Sequence, residues 1–132
     1  MNLEELAKKN NIRYIVLFGS QVTGSQRKDS DFDIAIFRDP FNNLDEYTDV
    51  LFGLADILNI SSDKIDLTNL KHADLLLKHE ITSKGKLLYG NELDYAEFCA
   101  SAFKDYIDSK DLFDLRFELL KKRNKELQKY VK

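Results

Sequence analysis

The sequence of 132 residues contains one cysteine, one proline, five glycines and no tryptophan. A single thiol, Cys99, excludes an internal disulfide and any cysteine-built zinc site. So little cysteine also fits a reducing compartment. With Pro40 as the one proline, the chain has few punctuation points, so connections are expected to be few and short. Basic charge is not in excess: 20 Lys and Arg stand against 23 Asp and Glu, a formal net charge of −3. That removes the general electrostatic drive toward nucleic acid, and no direct nucleic-acid binding is expected. No apolar run approaches the ~20 residues of a membrane span. The opening Met1-Asn2-Leu3-Glu4-Glu5 has no basic stretch ahead of an apolar one, so no signal peptide is read. The expectation is a cytoplasmic protein without a membrane anchor.

What is present is globular in character: 43% of residues are hydrophobic and 33% charged. The length fits one domain, residues 1–132. A chain of this size buries roughly two-thirds of its unfolded surface, enough for a real core. It leaves no room for a second domain of ordinary size to hold a substrate. If the chain is an enzyme, part of its site has to come from the substrate or a partner.

Leu3 to Lys9 reads as a short amphipathic helix, and Ile12 to Phe18 as a buried strand ending at Gly19-Ser20. Residues 20–30 are a polar connector with room for one helical turn. Asp31 to Phe37 reads as a second strand, Leu44 to Leu58 as a helix with apolar residues at a spacing of three and four, and Lys64 to Leu67 as a short strand. Lys71 to Ile81 is read as a helix and Lys86 to Tyr89 as a last strand. Glu92 to Tyr130 is strongly helical, with a break expected at Asp108-Ser109-Lys110-Asp111, where Ser109 can serve as an N-cap. The order α-β-β-α-β-α-β-α(α) gives an α+β fold, an α/β sandwich with a small sheet under helices. The spacing of the first two strands permits either sense of pairing.

Three features could carry chemistry. In Asp31-Phe32-Asp33 alternate side chains share a strand face, so the two carboxylates project together, roughly 6–7 Å apart at the backbone. Their repulsion and desolvation are relieved by a hard cation, and Mg²⁺ takes a few carboxylate oxygens plus substrate phosphates. The plain structural alternative is that both aspartates cap the strand start. Gly19-Ser20 can cradle phosphate with backbone N–H groups and a hydroxyl, or can simply be a turn. Asp66, between Ile65 and Leu67, faces away from both. It is either a third carboxylate for metal and proton transfer or a solvent-facing residue on an edge strand.

Leu17-Phe18-Gly19-Ser20, then Gly24, Arg27 and Ser30-Asp31-Phe32-Asp33-Ile34-Ala35, resembles the signature of the polymerase-β-type nucleotidyltransferases. The spacing and shortness are similar to the minimal nucleotidyltransferases, the MntA-type antitoxins paired with HEPN toxins. The resemblance implies a catalytic core over 1–90 with a helical extension over 91–132. It implies that Gly19 and Ser20 hold the β- and γ-phosphates of a nucleoside triphosphate, that Asp31 and Asp33 bind two Mg²⁺ ions, and that Asp66 shares a metal and helps deprotonate the acceptor hydroxyl. The nucleotide would be ATP and the acceptor a tyrosine on a cognate HEPN ribonuclease toxin, silenced by AMP transfer in a type VII-like toxin–antitoxin pair. Arg27 is either a triphosphate contact or a solvated side chain.

Two other readings remain: an antitoxin that acts by binding alone, and a nucleotidyltransferase acting on a small molecule, for which about 40 residues after Gly90 are few. The remaining features read as structural. His72 and His79 share a helix face if 71–81 is helical, Cys99 falls in an apolar stripe, and Lys121-Lys122-Arg123 with Lys125 forms a solvated basic end. Phe98, Phe103, Tyr106, Phe113 and Phe117 exceed what one face of a lone helix buries, and are expected to pack on the core, the other reading being a protein interface.

Overall fold

The computed structural model describes residues 1–19 and 31–130. The connector with Ser20, Gly24 and Arg27 therefore lies outside the described residues. Four strands form one mixed sheet: β1 (Tyr14–Phe18), β2 (Phe32–Phe37), β3 (Ile65–Asn69) and β4 (Lys86–Tyr89), in the order β3-β2-β1-β4. β1 runs antiparallel to β2 and to β4, and β2 runs parallel to β3. The open question of the sense of the first pair is thus settled as antiparallel.

Strand alternation divides the side chains between two cores. On one face Ile15, Ile34, Ile36 and Ile65 pack with Leu6 and Ala7 of helix α1 (Leu3–Lys9) and with Val50 and Leu54 of helix α2 (Leu44–Leu58). On the other, Tyr14, Val16 and Ala35 pack with Ile81 of helix α3 (Leu75–Lys84) and Tyr95 of helix α4 (Glu92–Tyr130). Tyr14 sits edge-on to Phe37 and to Tyr95, with ring centroids 5.6 and 5.2 Å apart. Each helix start is fixed by a side chain accepting a backbone N–H: Asn2 from Glu5, Asn43 from Glu46, Asp74 from Leu77 and Asn91 from Asp94, all at 2.8–2.9 Å.

Three expectations need correction. The helix read over 71–81 begins at Leu75, because Asp74 caps it, and Leu70–His72 is a short 3₁₀ turn. His72 is therefore not on one helix with His79. The break expected at 108–111 is absent: α4 runs unbroken from Glu92 to Tyr130. Ser and Asp inside a helix cost only a few tenths of a kcal/mol each, and nothing there lacks an N–H or forces a turn. Last, Phe103 and Phe117 do not pack on the core; they are 56% and 60% exposed. Phe98 and half-buried Cys99 do pack against it.

Candidate active site

The carboxylates meet at one end of the sheet. Antiparallel register sets Phe18, the last residue of β1, opposite Asp33, and parallel register sets Asp33 beside Asp66. Residues paired across strands share a face, so Asp33 and Asp66 project together. Asp31 precedes Asp33 by two residues and falls on the same side. This is the face covered by α3 and α4, since Ala35, two residues on, packs in their core. Asp31 and Asp66 are exposed and Asp33 is half-buried.

Gly19 follows directly, with φ +77°, a left-handed turn that favours glycine. A Cβ at this position would lie 2.2 Å from Asp33 Oδ2. The backbone therefore passes against the carboxylate with no space for a side chain. Partial burial pushes the Asp33 carboxyl above its ordinary range, helped by the negative charges of Asp66 and Asp31 and by a hydrogen bond to Asp66.

Residues 2–94 match the family model described as polymerase beta, nucleotidyltransferase. The chain belongs to this nucleotidyltransferase family. Two curated relatives carry the name protein adenylyltransferase MntA. The one from Aphanizomenon flos-aquae (strain 2012/KM1/D3) is 36% identical over 104 residues, 71% of this chain and 69% of that protein. The one from Shewanella oneidensis (strain MR-1) is 32% identical over 96 residues, 72% of this chain and 66% of that protein. Among solved structures, a toxin–antitoxin crystallised with AMP-PNP superposes with a TM-score of 0.65 at 25% identity, covering 87% of this chain and 95% of that one. The chain is thus a nucleotidyltransferase of the MntA type, and its mixed four-stranded sheet with flanking helices is the fold of that group.

Within this nucleotidyltransferase the acidic end of the sheet suits a hard cation. Among the described residues no Lys or Arg pairs with Asp31, Asp33 or Asp66, and burial with the neighbouring negative charges raises the Asp33 carboxyl above its ordinary value. No three acidic, histidine or cysteine side chains among the described residues form a closed ligand cage. Mg²⁺ does not need one, because it takes one or two carboxylates and completes its shell with water and substrate phosphates. The structure brings four of the five residues singled out from sequence to one place: Gly19, Asp31, Asp33 and Asp66. The fifth, Ser20, lies outside the described residues.

Sequence reasoning passed over Gly85. A Cβ there would meet Ile81 O at 2.4 Å and Val16 Cγ1 at 2.6 Å, so glycine lets the end of α3 close against β1 behind the site. A helix end running straight into a strand, Lys84-Gly85-Lys86, was the available signal. A concavity of about 540 Å³ at the opposite end of the sheet, lined by Ile12, Arg13, Tyr89 and Asp94 among others, does not reach the carboxylates. Its rim is held by Arg13, whose Nε and Nη2 donate to Asp94 Oδ2 at 2.9 and 2.5 Å.

Proposed function

We propose that this chain is the antitoxin of a type VII-like pair and transfers AMP from ATP to a tyrosine hydroxyl of a cognate HEPN ribonuclease toxin in the cytoplasm. The observation that carries the reading is the register of β1, β2 and β3, which sets Asp33 beside Asp66 and against Gly19. The names of the curated relatives support the same chemistry, and the AMP-PNP complex of a structural neighbour supports an adenine nucleotide. Residues 1–90 act as the catalytic core and 91–132 as a helical extension.

Gly19 and Ser20 bind the β- and γ-phosphates through backbone N–H groups and the Ser20 hydroxyl. Asp31 and Asp33 would hold two Mg²⁺ ions, with Asp66 sharing one. Bound there, the ions supply the positive charge that offsets what develops around the α-phosphorus. Asp66, exposed at the sheet edge, accepts the proton of the incoming tyrosine hydroxyl. The tyrosine oxygen forms a bond to the α-phosphorus as the bond to the bridging oxygen breaks, and pyrophosphate leaves with the electron pair.

The small-molecule alternative loses ground because the extension is a single helix among the described residues. Binding without catalysis keeps one supporting observation, the exposed apolar outer half of α4. One experiment separates the readings. The purified protein, incubated with Mg-ATP and the toxin, should add mass to the toxin in AMP-sized steps, and the D31N/D33N double variant should add none and fail to protect cells. Transfer by the double variant overturns the assignment. Protection without transfer establishes the binding reading instead.

A further inference from the structure

The outer half of α4 is the least explained part of the molecule. Packing against the body ends near Ala102, which is 4% exposed, and at Tyr106, whose ring stacks on His79 at 3.8 Å. Every side chain described from Lys110 to Gln128 is exposed. Leu112, Leu115, Phe117, Leu119, Leu120 and Leu127 are each 53–60% exposed. At 100° per residue these six positions span roughly 200° of the helix circumference. One neighbouring helix covers a stripe only about half as wide. An arc this broad fits a groove walled by two or more elements, into which the helix is laid. A second copy pairing arm to arm offers one helix and leaves much of the arc bare.

Charge gives the arm a polarity. Residues 105–118 carry five acidic side chains against Lys110 and Arg116, whereas residues 119–128 carry Lys121, Lys122, Arg123 and Lys125 against Glu126. A matching groove is basic near the body and acidic at the tip. The inner half of α4 packs on the sheet face from which Asp33 projects. A protein held by the arm is therefore tethered to the catalytic face and meets it at raised effective concentration.

We propose that the outer half of α4 is the docking arm for the acceptor protein, seated in an apolar groove of that protein with an acidic end at the arm's tip. The proposal rests on the reading of the chain as a protein adenylyltransferase, and it places the substrate-holding surface in trans, on the acceptor protein itself. Buried apolar anchors at the centre of an interface dominate its affinity.

The test uses the full chain and the HEPN toxin, with binding followed by titration and transfer followed by mass spectrometry. L120D/L127D should keep the wild-type melting temperature and its thermal response to Mg-ATP, yet lose roughly a hundredfold or more in affinity for the toxin. K121E/K122E should weaken binding less and flatten its dependence on salt. At saturating toxin the L120D/L127D transfer rate should recover, the mark of a docking loss rather than a chemical one. Wild-type affinity in L120D/L127D overturns the proposal while leaving the adenylyltransferase reading intact. So does a wild-type dimer in sedimentation that this variant abolishes without affecting toxin binding. Absence of any transfer by the wild type, with D31N/D33N protecting as well as wild type, defeats the enzymatic reading instead.

Discussion

The two ends of the sheet treat charge in opposite ways. At the end where β2 and β3 finish, ionised groups are matched. The Arg38 guanidinium is 8% exposed and donates to Glu46 Oε2 at 3.2 Å, to Asn10 O at 3.0 Å and to Asp39 O at 2.7 Å, lying 4.2 Å over the Phe41 ring. The Asn69 amide donates to Arg38 O at 3.0 Å, and Arg13 neutralises Asp94, holding its carboxyl below the ordinary range together with a Tyr14 hydrogen bond. At the end where β2 and β3 begin, Asp31, Asp33 and Asp66 gather with no cation among the described residues. A fold that pairs its charges elsewhere, and brings no cation to these among its described residues, suits a ligand that brings its own positive charge.

That contrast makes removal of the carboxylates the largest expected effect. Asp33→Asn or Asp31→Asn should lower AMP transfer by at least ~10³-fold, because each removes a charge on which the cation depends. The protein should remain folded, as shown by unchanged circular dichroism. Transfer within about tenfold of wild type would erase the functional half of the comparison. At the matched end the result should be the reverse. Arg38→Ala leaves Glu46 without its cation and two carbonyl oxygens without a donor, which should destabilise by about 2–3 kcal/mol in urea unfolding. The folded fraction should show normal transfer. Loss of activity beyond loss of folded protein would mean that the two ends are not independent.

Gly19→Ala tests the join between scaffold and site. The new methyl group meets Asp33 Oδ2 and the backbone sits at φ +77°. The carboxylate must move and the left-handed turn costs about 1–2 kcal/mol. Transfer should fall about tenfold to a hundredfold with a modest drop in melting temperature. An unchanged rate would show that Asp33 needs no support from the β1 turn.

How much of this was legible in sequence follows from the same physics. Buried strands and capped helices announce themselves through local periodicity, so α1, α2 and β4 agree residue for residue and the other strands to within two. The carboxylate cluster was legible because Asp31-x-Asp33 carries its own alternation. Its partnership with Asp66 was read as one of two alternatives and through the family resemblance, but the pairing of β2 with β3 was not legible, since parallel pairing across some thirty residues leaves no local trace. Nor was the Gly19 contact, which exists only once β1 and β2 are aligned. The continuity of α4 through Asp108-Ser109-Lys110-Asp111 was missed because capping residues do not stop a helix unless the chain also turns. The bare outer arm was missed because apolar content alone does not say whether a core or a partner covers it.

The smallest expected effect is the one that separates charge from chemistry. Without metal, the Asp33 carboxyl titrates above its ordinary value of 3.8, so the folded protein holds that proton more tightly than the unfolded chain. Stability from this group is therefore fullest below pH 3.8 and falls as pH rises through the window between 3.8 and the raised folded value. It stays reduced at neutral pH, where three carboxylates crowd together. Asp33→Asn removes the titration, so in metal-free buffer its melting temperature should fall less than that of wild type as pH rises from 4 to 7. Near neutral pH it should match or exceed wild type. Adding Mg-ATP should reverse the order, because binding to the folded state stabilises wild type alone. Melting scans across pH, with and without Mg-ATP, read both halves of this prediction. If wild type and Asp33→Asn follow parallel curves, the crowding at this end of the sheet is relieved within the chain, and the contrast between the two ends reduces to packing.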